Sequence, residues 1–274
     1  MSSPQECKSE GLNKPVALTI AGLDPSGGAG VIADTKTFFS LACFPNAVIT
    51  SITFQNTTGV FGALHQSAAV VRNQIEPLLN DFEISSVKTG MLATPEIVEE
   101  VAKLVDAHRL TNLVVDPVLV STSSHDLIST STFEAIKKLL LPKSLIITPN
   151  IPEAEQLTGF SITSTNEMYK AARTISGLGA RNVLIKGGHL LAASDASQRE
   201  IVDLFLDENG NFLELSEAFL PVGDVHGSGC VLSAAITANL AHNVELAQAV
   251  RNAKTYITTA IRSAPQIGHG ARPL

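Results

Sequence analysis

Short apolar runs alternate with amphipathic stretches along the chain. Seven apolar runs predict strands, namely Val16–Ala21, Ala47–Phe54, Ser86–Thr89, Asn112–Val115, Ser144–Thr148, Asn182–Lys186 and Ile201–Leu206. Stretches with apolar residues at helical spacing lie between them, among them Pro95–Ala107, Ser131–Leu140 and Asn166–Gly177. Near-continuous apolar strands separated by helices are typical of a parallel sheet with both faces covered. The pattern therefore predicts an α/β fold.

Two segments lie outside this alternation of strands and helices, one near residue 208 and one at the N-terminus. Asp207–Gly210 has the composition of a hairpin turn, which predicts an antiparallel strand pair near the sheet edge. Residues 1–14 are polar and predict a flexible N-terminal segment. No low-complexity linker, repeat or break in composition interrupts residues 15–274, so we expect a single domain there.

The composition indicates a large buried core and an acidic protein. Hydrophobic residues make up 45% of the 274 residues and charged residues 16%, with a formal net charge of −7. This balance argues against nucleic acid or an anionic membrane as a main partner. Three cysteines without a CxxC pair, a polar N-terminus without an apolar signal core and the lack of a membrane-length apolar run predict a soluble, cytoplasmic protein.

Residues that carry chemistry follow the predicted strands. The segments after the strands contain glycine, acidic, amide or lysine residues, namely Gly22–Gly30, Gln55-Asn56, Gly90-Met91, Asp116-Pro117, Asn150–Glu153 and Lys186–Gly188. Sheets of this class bind ligands beyond the carboxyl ends of their strands. We therefore expect these segments to meet at one rim of the sheet, although each could be turn chemistry by itself.

The segment His226–Cys230 precedes an apolar helical run and predicts an anion-binding turn. Gly227, Ser228 and Gly229 let the backbone turn tightly, so consecutive amide N–H groups at the helix N-terminus can face a negative charge. Cys230 stands in the first turn, where the field of the helix would lower the pKa of its thiol. An ordinary loop-to-helix junction is the alternative interpretation.

The glycine-rich segment after the first strand has more than one interpretation. Gly28–Ala33 matches the dinucleotide-binding pattern G-x-G-x-x-A, but no acidic residue follows between Asp34 and Glu76 to hold a ribose. A G-x-x-x-x-G-K-[ST] phosphate loop does not occur in the sequence. We favour a loop that packs against a flat ligand, with Asp34 reaching in from the following helix; a solvated first-turn acid is the alternative.

Two pairs of polar residues suggest ligand recognition. Gln55 and Asn56 could read the edge of a heterocycle with their amide donors and acceptors, or they could simply form a turn. Asn150 and Glu153 stand three residues apart at the entry to a helix, so both face one side. Their oxygens could hold Mg²⁺ through water or form an N-terminal capping box, and the two roles are compatible.

Two lysines could reach a polyphosphate. Lys186 ends a strand beside two glycines and can act as a mobile point charge. Lys254 lies in the predicted helix 246–261 and could point to the same rim, although a helical lysine is usually solvated. We expect His189 and His226 to form structural hydrogen bonds rather than to act as general bases. The sequence has no HExxH, CxxC or GxSxG motif, which disfavours zinc hydrolases and α/β-hydrolases.

Taken in order, these motifs resemble the ribokinase superfamily, and within it the hydroxymethylpyrimidine/phosphomethylpyrimidine kinases of thiamine biosynthesis. The resemblance extends from Leu18 to about Arg272. It rests on the segments LTIAGLDPSGGAGVIADTKTF, VITSITFQNTTGV, VKTGML, VVDPV, ITPNIPEAEQL, VLIKGGHL, HGSGCVLSAA and GHGARP. It implies a ribokinase-like three-layer α/β/α sandwich, whose central sheet is mostly parallel with an antiparallel edge.

The resemblance also implies an activity and a set of site residues. The implied activity is Mg²⁺-dependent transfer of a phosphoryl group from ATP to 4-amino-5-hydroxymethyl-2-methylpyrimidine (HMP) and then to HMP phosphate, by a protein that is commonly a homodimer. Cys230 stands at the position that activates the hydroxymethyl oxygen. The other implied residues are Gly227, Ser228 and Gly229 for the anion hole, Gly22, Asp34, Gln55 and Met91 for the pyrimidine, Asp116, Lys186 and Lys254 for ATP, and Asn150 and Glu153 for Mg²⁺.

The chain departs from this pattern at two places. Ser121–Asp126 replaces the usual Lys-Ser-Gly-like flap, with Thr122 near the position of its lysine, and Pro221–Val225 replaces a polar run before the anion hole. Ser121 stands where pyridoxal-phosphorylating members often carry a cysteine, which disfavours a pyridoxal-type vitamin kinase but keeps it as the second candidate. The remaining candidate functions are those of a pyrimidine-binding homologue without activity and of an NAD-dependent enzyme.

Overall fold

The computed structural model describes residues 14–118, 129–188 and 200–274. The predicted flexible segment up to residue 13, the flap departure at Ser121–Asp126 and His189 lie outside the described residues.

The described residues form a nine-stranded central sheet with the strand order β3-β2-β1-β4-β5-β6-β7-β8-β9. Its strands are β1 (Val16–Leu23), β2 (Phe44–Asn56), β3 (Gly59–His65), β4 (Ile84–Thr89), β5 (Leu113–Val115), β6 (Ile146–Ile147), β7 (Asn182–Ile185), β8 (Glu200–Leu206) and β9 (Phe212–Ala218). The six inner strands β2, β1 and β4 to β7 are parallel, whereas β3 pairs antiparallel with β2 at one edge and β8 pairs antiparallel with β7 and with β9 at the other. The predicted α/β fold with an antiparallel edge is confirmed, and both edges have this character.

Helices cover both faces of the sheet. They are α1 (Gly30–Ser40), α2 (Ala68–Asp81), α3 (Pro95–Ala107), α4 (Thr130–Ala135), α5 (Ile151–Thr158), α6 (Thr165–Gly177), α7 (Ser228–Ala241) and α8 (Leu246–Arg262). Helices α2 to α6 share one hydrophobic core with the sheet, and α1, α7 and α8 pack on the opposite side. Successive side chains of a strand point to opposite faces of the sheet, and β5 illustrates this alternation. Leu113 and Val115 belong to the first core, whereas Val114 between them belongs to the second. The predicted three-layer sandwich is confirmed.

Two elements differ from the sequence prediction. The hairpin strand β3 was not predicted, because Val60 is its only buried residue and the apolar pattern of a buried strand is missing. The helix expected at Ser131–Leu140 begins at Thr130 and changes at Ile136 into a π-helical turn that ends at Leu140. Within the described parts of the chain, no helix combines the length and apolar composition that a membrane span requires.

A small second sheet joins distant parts of the chain. Strand β10 (Val225–His226) pairs in parallel with β11 (Arg272–Pro273). The segment before β11 also contacts the turn between β2 and β3, since the Ala271 N–H donates to the Thr57 carbonyl oxygen over 2.9 Å. His226, which stands two residues before α7, is thus held by β11.

Candidate active site

A cavity of about 700 Å³ opens at the carboxyl ends of the parallel strands, beside the first turn of α7. It brings together twelve of the thirteen site residues that the sequence singled out, namely Gly22, Gln55, Met91, Asp116, Asn150, Glu153, Lys186, Gly227, Ser228, Gly229, Cys230 and Lys254. The thirteenth, Asp34, is not among the lining residues. The predicted convergence of strand ends on one rim is confirmed.

The first turn of α7 has the geometry of an anion-binding site. Gly227 caps the helix in the left-handed conformation, at φ +87°. A Cβ atom at this position would overlap the Gly28 carbonyl oxygen, so the close approach of the two loops requires glycine. A Cβ built on Gly229 would stand 3.0 Å from Lys186 Nζ, which places that ammonium group against the amides of the turn. Backbone N–H groups and a cation therefore face the same part of the cavity.

Cys230 stands at this turn but is not an activated thiol. Burial raises the pKa of the Cys230 thiol to about 11, and the charges of Asp116 and Asp34 act in the same direction against that of Lys88. The predicted lowering of this pKa by the helix N-terminus is therefore wrong. Desolvation of the thiolate outweighs the favourable field of the helix.

Asp34 forms a fully buried ion pair below the cavity. Lys88 Nζ lies 2.9 Å from both carboxylate oxygens, Thr19 Oγ1 donates to Asp34 Oδ2 over 2.6 Å, and neither charged side chain is exposed. The expected contact of Asp34 with the ligand does not match this placement, and neither does the alternative of a solvated acid. Instead Lys88 lines the cavity and Asp34 is its counter-ion.

The protonation of this pair follows from its contacts. Burial lowers the pKa of Lys88, but the negative charges around it, that of Asp34 first, outweigh burial and hold the pKa above its ordinary value. Burial raises the pKa of Asp34, although Lys88 and Thr19 oppose that shift. We describe the pair as ionised, because both Lys88 and the Thr19 hydroxyl donate to the carboxylate.

Asp116 anchors the cationic side of the cavity. Its Oδ1 accepts hydrogen bonds from Lys186 Nζ over 2.9 Å and from Thr148 Oγ1 over 3.2 Å, and its Oδ2 accepts from Ser233 Oγ over 3.0 Å. Burial raises the pKa of Asp116, but Lys186, Lys88 and these hydrogen bonds outweigh it and hold the pKa below its ordinary value. Asp116 is therefore an ionised carboxylate that fixes Lys186 in place.

Asn150 and Glu153 form the capping box that was one of their two predicted roles. The Glu153 N–H donates to Asn150 Oδ1 over 2.9 Å, and the Asn150 N–H donates to Glu153 Oε2 over 2.7 Å. Glu153 Oε2 also lies 3.8 Å from Lys186 Nζ. Among the described residues, no group of three or more His, Cys, Asp or Glu side chains is arranged to hold a metal ion.

Lys254 is buried rather than solvated. Its Nζ lies 2.6 Å from Asp203 Oδ2 on β8, and Asp203 Oδ1 accepts the Gly187 N–H over 2.8 Å. The side chain of Lys254 is only 11% exposed, and both Lys254 and Asp203 line the cavity. This pair connects α8, β8 and the segment after β7 at the rim.

His226 is a structural hydrogen-bonding group, as the sequence predicted. Its Nε2 lies 2.8 Å from Asp24 Oδ2 and 2.8 Å from Gln55 Nε2, and Gln55 Oε1 lies 3.0 Å from Thr53 Oγ1. Asp24 also accepts hydrogen bonds from the Ser26 N–H and hydroxyl. The side chain of Gln55 is therefore held between two neighbours at the wall of the cavity.

Sequence reasoning missed three charged residues that line the cavity: Asp24, Lys88 and Asp203. Lys88 and Asp203 each carried a signal, because each interrupts an otherwise apolar strand segment, in VKTGML and IVDLFL. A charge at such a position is rarely buried without a partner. Asp24 stands in the glycine-rich segment, where its residue type did not distinguish it from an ordinary turn residue.

Comparison with known proteins places this chain in a family. The family model for phosphomethylpyrimidine kinase matches residues 24–274. The hydroxymethylpyrimidine/phosphomethylpyrimidine kinase of Haemophilus influenzae is 41% identical over 262 residues, which cover 95% of this chain and 96% of that protein.

Two solved structures extend the comparison. The phosphomethylpyrimidine kinase of Clostridium difficile is 40% identical, with a TM-score of 0.78, over 90% of this chain and 100% of that one. The pyridoxal kinase of Staphylococcus aureus in complex with ADP is 34% identical, with a TM-score of 0.86, over 95% and 93% of the two chains. The extent of these matches and the convergence of the motif residues on one cavity lead to one conclusion: the chain belongs to the phosphomethylpyrimidine kinase family.

Proposed function

We propose that this protein phosphorylates HMP to HMP phosphate and HMP phosphate to the diphosphate, with ATP as the phosphoryl donor. The observation that carries the proposal is the shared cavity, which the amide turn Gly227–Cys230 and Lys186 line together with Gln55 and Met91. The turn and Lys186 offer donors for a transferring phosphoryl group, and Gln55 and Met91 offer an amide and an apolar surface for a flat ring. Relatives that carry these activities in their names support this assignment.

The chemistry proposed for this site is in-line phosphoryl transfer. The amides of the turn and Lys186 stabilise the charge that develops on the transferring group, and Asp116 keeps Lys186 in position. The two steps differ in the acceptor: HMP must lose its alcohol proton, whereas the phosphate of HMP phosphate is already ionised. We assign acceptance of the alcohol proton to Cys230. The thiol has a pKa of about 11 in the ligand-free protein, so this role requires that binding of the substrates lowers the pKa and releases the thiol proton.

Gly22 and Met91 lie close together in the lining of the cavity. A Cβ atom at Gly22 would stand 3.3 Å from Met91 Sδ, so the absence of a side chain at residue 22 keeps space in front of Met91. We assign the ring contact to these two residues and to Gln55. Asp34 acts indirectly in this assignment, by neutralising Lys88.

The oxygen donors of the cavity fit Mg²⁺ that enters with the nucleotide. Asn150 and Glu153 supply hard oxygen atoms beside Lys186, but their capping bonds leave no all-protein cage of the kind that binds a metal alone. Mg²⁺ commonly keeps several waters and shares its ligands with phosphates. We propose that Asn150 and Glu153 hold it through water and that Lys254 faces the nucleotide. The ion would neutralise phosphate charge.

The proposal is tested with a substrate panel. Purified protein is incubated with ATP and Mg²⁺ and with HMP, HMP phosphate or pyridoxal, and the products are resolved by anion-exchange chromatography. We expect the monophosphate from HMP and the diphosphate from HMP phosphate. Phosphorylation of pyridoxal alone would favour the second candidate, a pyridoxal kinase, which the high TM-score to the Staphylococcus aureus enzyme keeps open. Thermal stabilisation by HMP without turnover would indicate a binding protein.

We further propose that the chain is a cytoplasmic homodimer without nucleic-acid or membrane partners. The net charge of −7 supports the absence of nucleic-acid and membrane partners. The hairpin supports the dimer, because Ile52 and Leu64 are paired across β2 and β3 and both are exposed. Leu64→Asp should lower the molar mass measured by light scattering, whereas Ile267→Asp, at a residue of the same 58% exposure, should not. A monomeric wild-type protein would refute the dimer.

A further inference from the structure

We infer that His226 holds the side-chain amide of Gln55 in one of its two orientations and thereby selects the hydrogen-bonding pattern of the ligand edge that the cavity accepts. The two ends of an amide have the same shape, so the neighbouring donors and acceptors decide which end faces which neighbour.

The contact with Asp24 decides the tautomer of His226. The two residues are 8% and 3% exposed, and His226 Nε2 lies 2.8 Å from Asp24 Oδ2. Burial raises the pKa of Asp24, but hydrogen bonds from His226 and Ser26 outweigh it and hold the pKa below its ordinary value. An ionised carboxylate only accepts hydrogen bonds, so the proton of the imidazole has to be on Nε2.

The same proton decides the orientation of Gln55. Its side-chain amide has one terminal atom 2.8 Å from His226 Nε2. An NH₂ group there would place two donors against each other, whereas a carbonyl oxygen accepts a share of the Nε2–H bond. The carbonyl oxygen of Gln55 therefore faces His226, and its NH₂ group faces Thr53. This orientation is the reverse of the one described for the candidate active site, where Nε2 was assigned to the contact with His226 and Oε1 to the contact with Thr53.

Thr53 agrees with this orientation from the other side. Its hydroxyl oxygen lies 3.0 Å from the Leu23 carbonyl oxygen and 3.0 Å from the second terminal atom of Gln55. A hydroxyl has one proton, and a carbonyl oxygen can only accept, so Thr53 donates to Leu23. The hydroxyl oxygen then accepts from Gln55, which requires the NH₂ group at that end. Both neighbours are satisfied by the same orientation.

The consequence for the ligand rests on the proposed function. A fixed amide presents its remaining N–H and its remaining lone pair to the cavity in one order. The edge of a 4-aminopyrimidine offers an acceptor ring nitrogen beside a donor amine, and a 4-oxopyrimidine offers the reverse order. With the hydroxymethyl group directed at Cys230, only one of these edges matches Gln55. His226 is then a positioning residue that sets specificity through Gln55.

The orientation itself is tested by NMR, independently of any activity. Protein with ¹⁵N-labelled histidine is observed by long-range ¹H–¹⁵N correlation, and the His226 signals are identified by their loss in His226→Phe. We expect a proton on Nε2, in the neutral or in the cationic ring. A neutral ring with its proton on Nδ1 would overturn the inference, because Nε2 would then accept from the Gln55 NH₂ group.

Kinetics test the effect on specificity. The ratio of kcat/KM for HMP to that for its 4-oxo analogue should fall at least about tenfold in His226→Phe and in Thr53→Val, because either change frees the amide to turn. Thr53→Ser keeps the hydroxyl and should keep the ratio. His65→Phe is the matched control, since His65 is outside the cavity lining and bonds to Ser51.

The outcomes separate the two proposals. An unchanged ratio in Thr53→Val, with circular dichroism showing a folded protein, would overturn the specificity inference even if His226→Phe fails to fold. A wild-type protein that phosphorylates neither pyrimidine would refute the proposed function, and the NMR result would still decide the orientation of Gln55.

Discussion

Lys88 Nζ lies 2.9 Å from both carboxylate oxygens of Asp34, and neither side chain is exposed to solvent. An ion pair in this position is costly to break, because removal of one partner leaves the other charge buried. Lys88 lines the cavity and Asp34 does not, so the charge balance around Cys230 depends on a carboxylate outside the cavity lining.

Lys88→Met should lower the free energy of unfolding by about 3–5 kcal/mol, since Asp34 loses its partner. Lys88→Met combined with Asp34→Asn should recover much of this loss, because no charge remains unpaired. Urea denaturation followed by circular dichroism measures both. Lys143→Met, which breaks the exposed pair with Asp106, is the control and should have little effect. A double variant as unstable as the single one would contradict this account.

Cys230→Ala should impair the phosphorylation of HMP more than that of HMP phosphate, because only the first acceptor has an alcohol proton to lose. We expect kcat for HMP to fall about a hundredfold, the low end for loss of a general base, and kcat for HMP phosphate to fall far less. Single-turnover assays with each substrate measure the two steps separately. Equal losses in both steps would exclude a role for the thiol in proton transfer.

Cys43 should make the folded protein less stable at alkaline pH. Burial raises the pKa of Cys43 from 9.0 to about 11, so the unfolded chain releases this proton before the folded protein does. The unfolded state therefore binds fewer protons between these values, and stability falls as pH rises through this window. By pH 10 the wild type should lose about 1 kcal/mol more than Cys43→Ala. Parallel pH profiles of the two proteins would show that Cys43 does not contribute.

Gly227→Ala should abolish activity, because the new Cβ atom would overlap the Gly28 carbonyl oxygen and disturb the amide turn. Gly210→Ala is the matched control. Gly210 has nearly the same left-handed backbone, φ +85° against +87°, but nothing lies within 4 Å of a Cβ atom there. The control should lose about 1 kcal/mol of stability and keep its kcat. Full activity of Gly227→Ala would argue against the turn as the phosphoryl site.

The sequence predicted the parts of this site that depend on local geometry. The glycines before α7 and the polar residues at the strand ends follow from backbone requirements that are visible in a single segment. The pairing of Asp34 with Lys88, and of Lys254 with Asp203, depends on which side chains meet across the core. No local pattern contains that information.

The pKa of Cys230 is another property that the local sequence does not determine. The position in the first turn of a helix is a local property and suggests a lowered pKa. The degree of burial is a property of the whole fold, and here it decides the direction of the shift. Strand β3 is a similar case, because a hairpin strand with one buried residue leaves almost no apolar signal.

The pairing of β10 with β11 has a consequence for how the protein becomes functional during synthesis. Residues from near both ends of the described chain meet here, since a Cβ atom at Gly28 would stand 3.2 Å from Pro273 Cβ. Contacts of such long sequence separation form late, because a large loop must first be closed. The layered core from β1 to α7 can form before β11 is available. Binding competence should appear only when β11 emerges and docks.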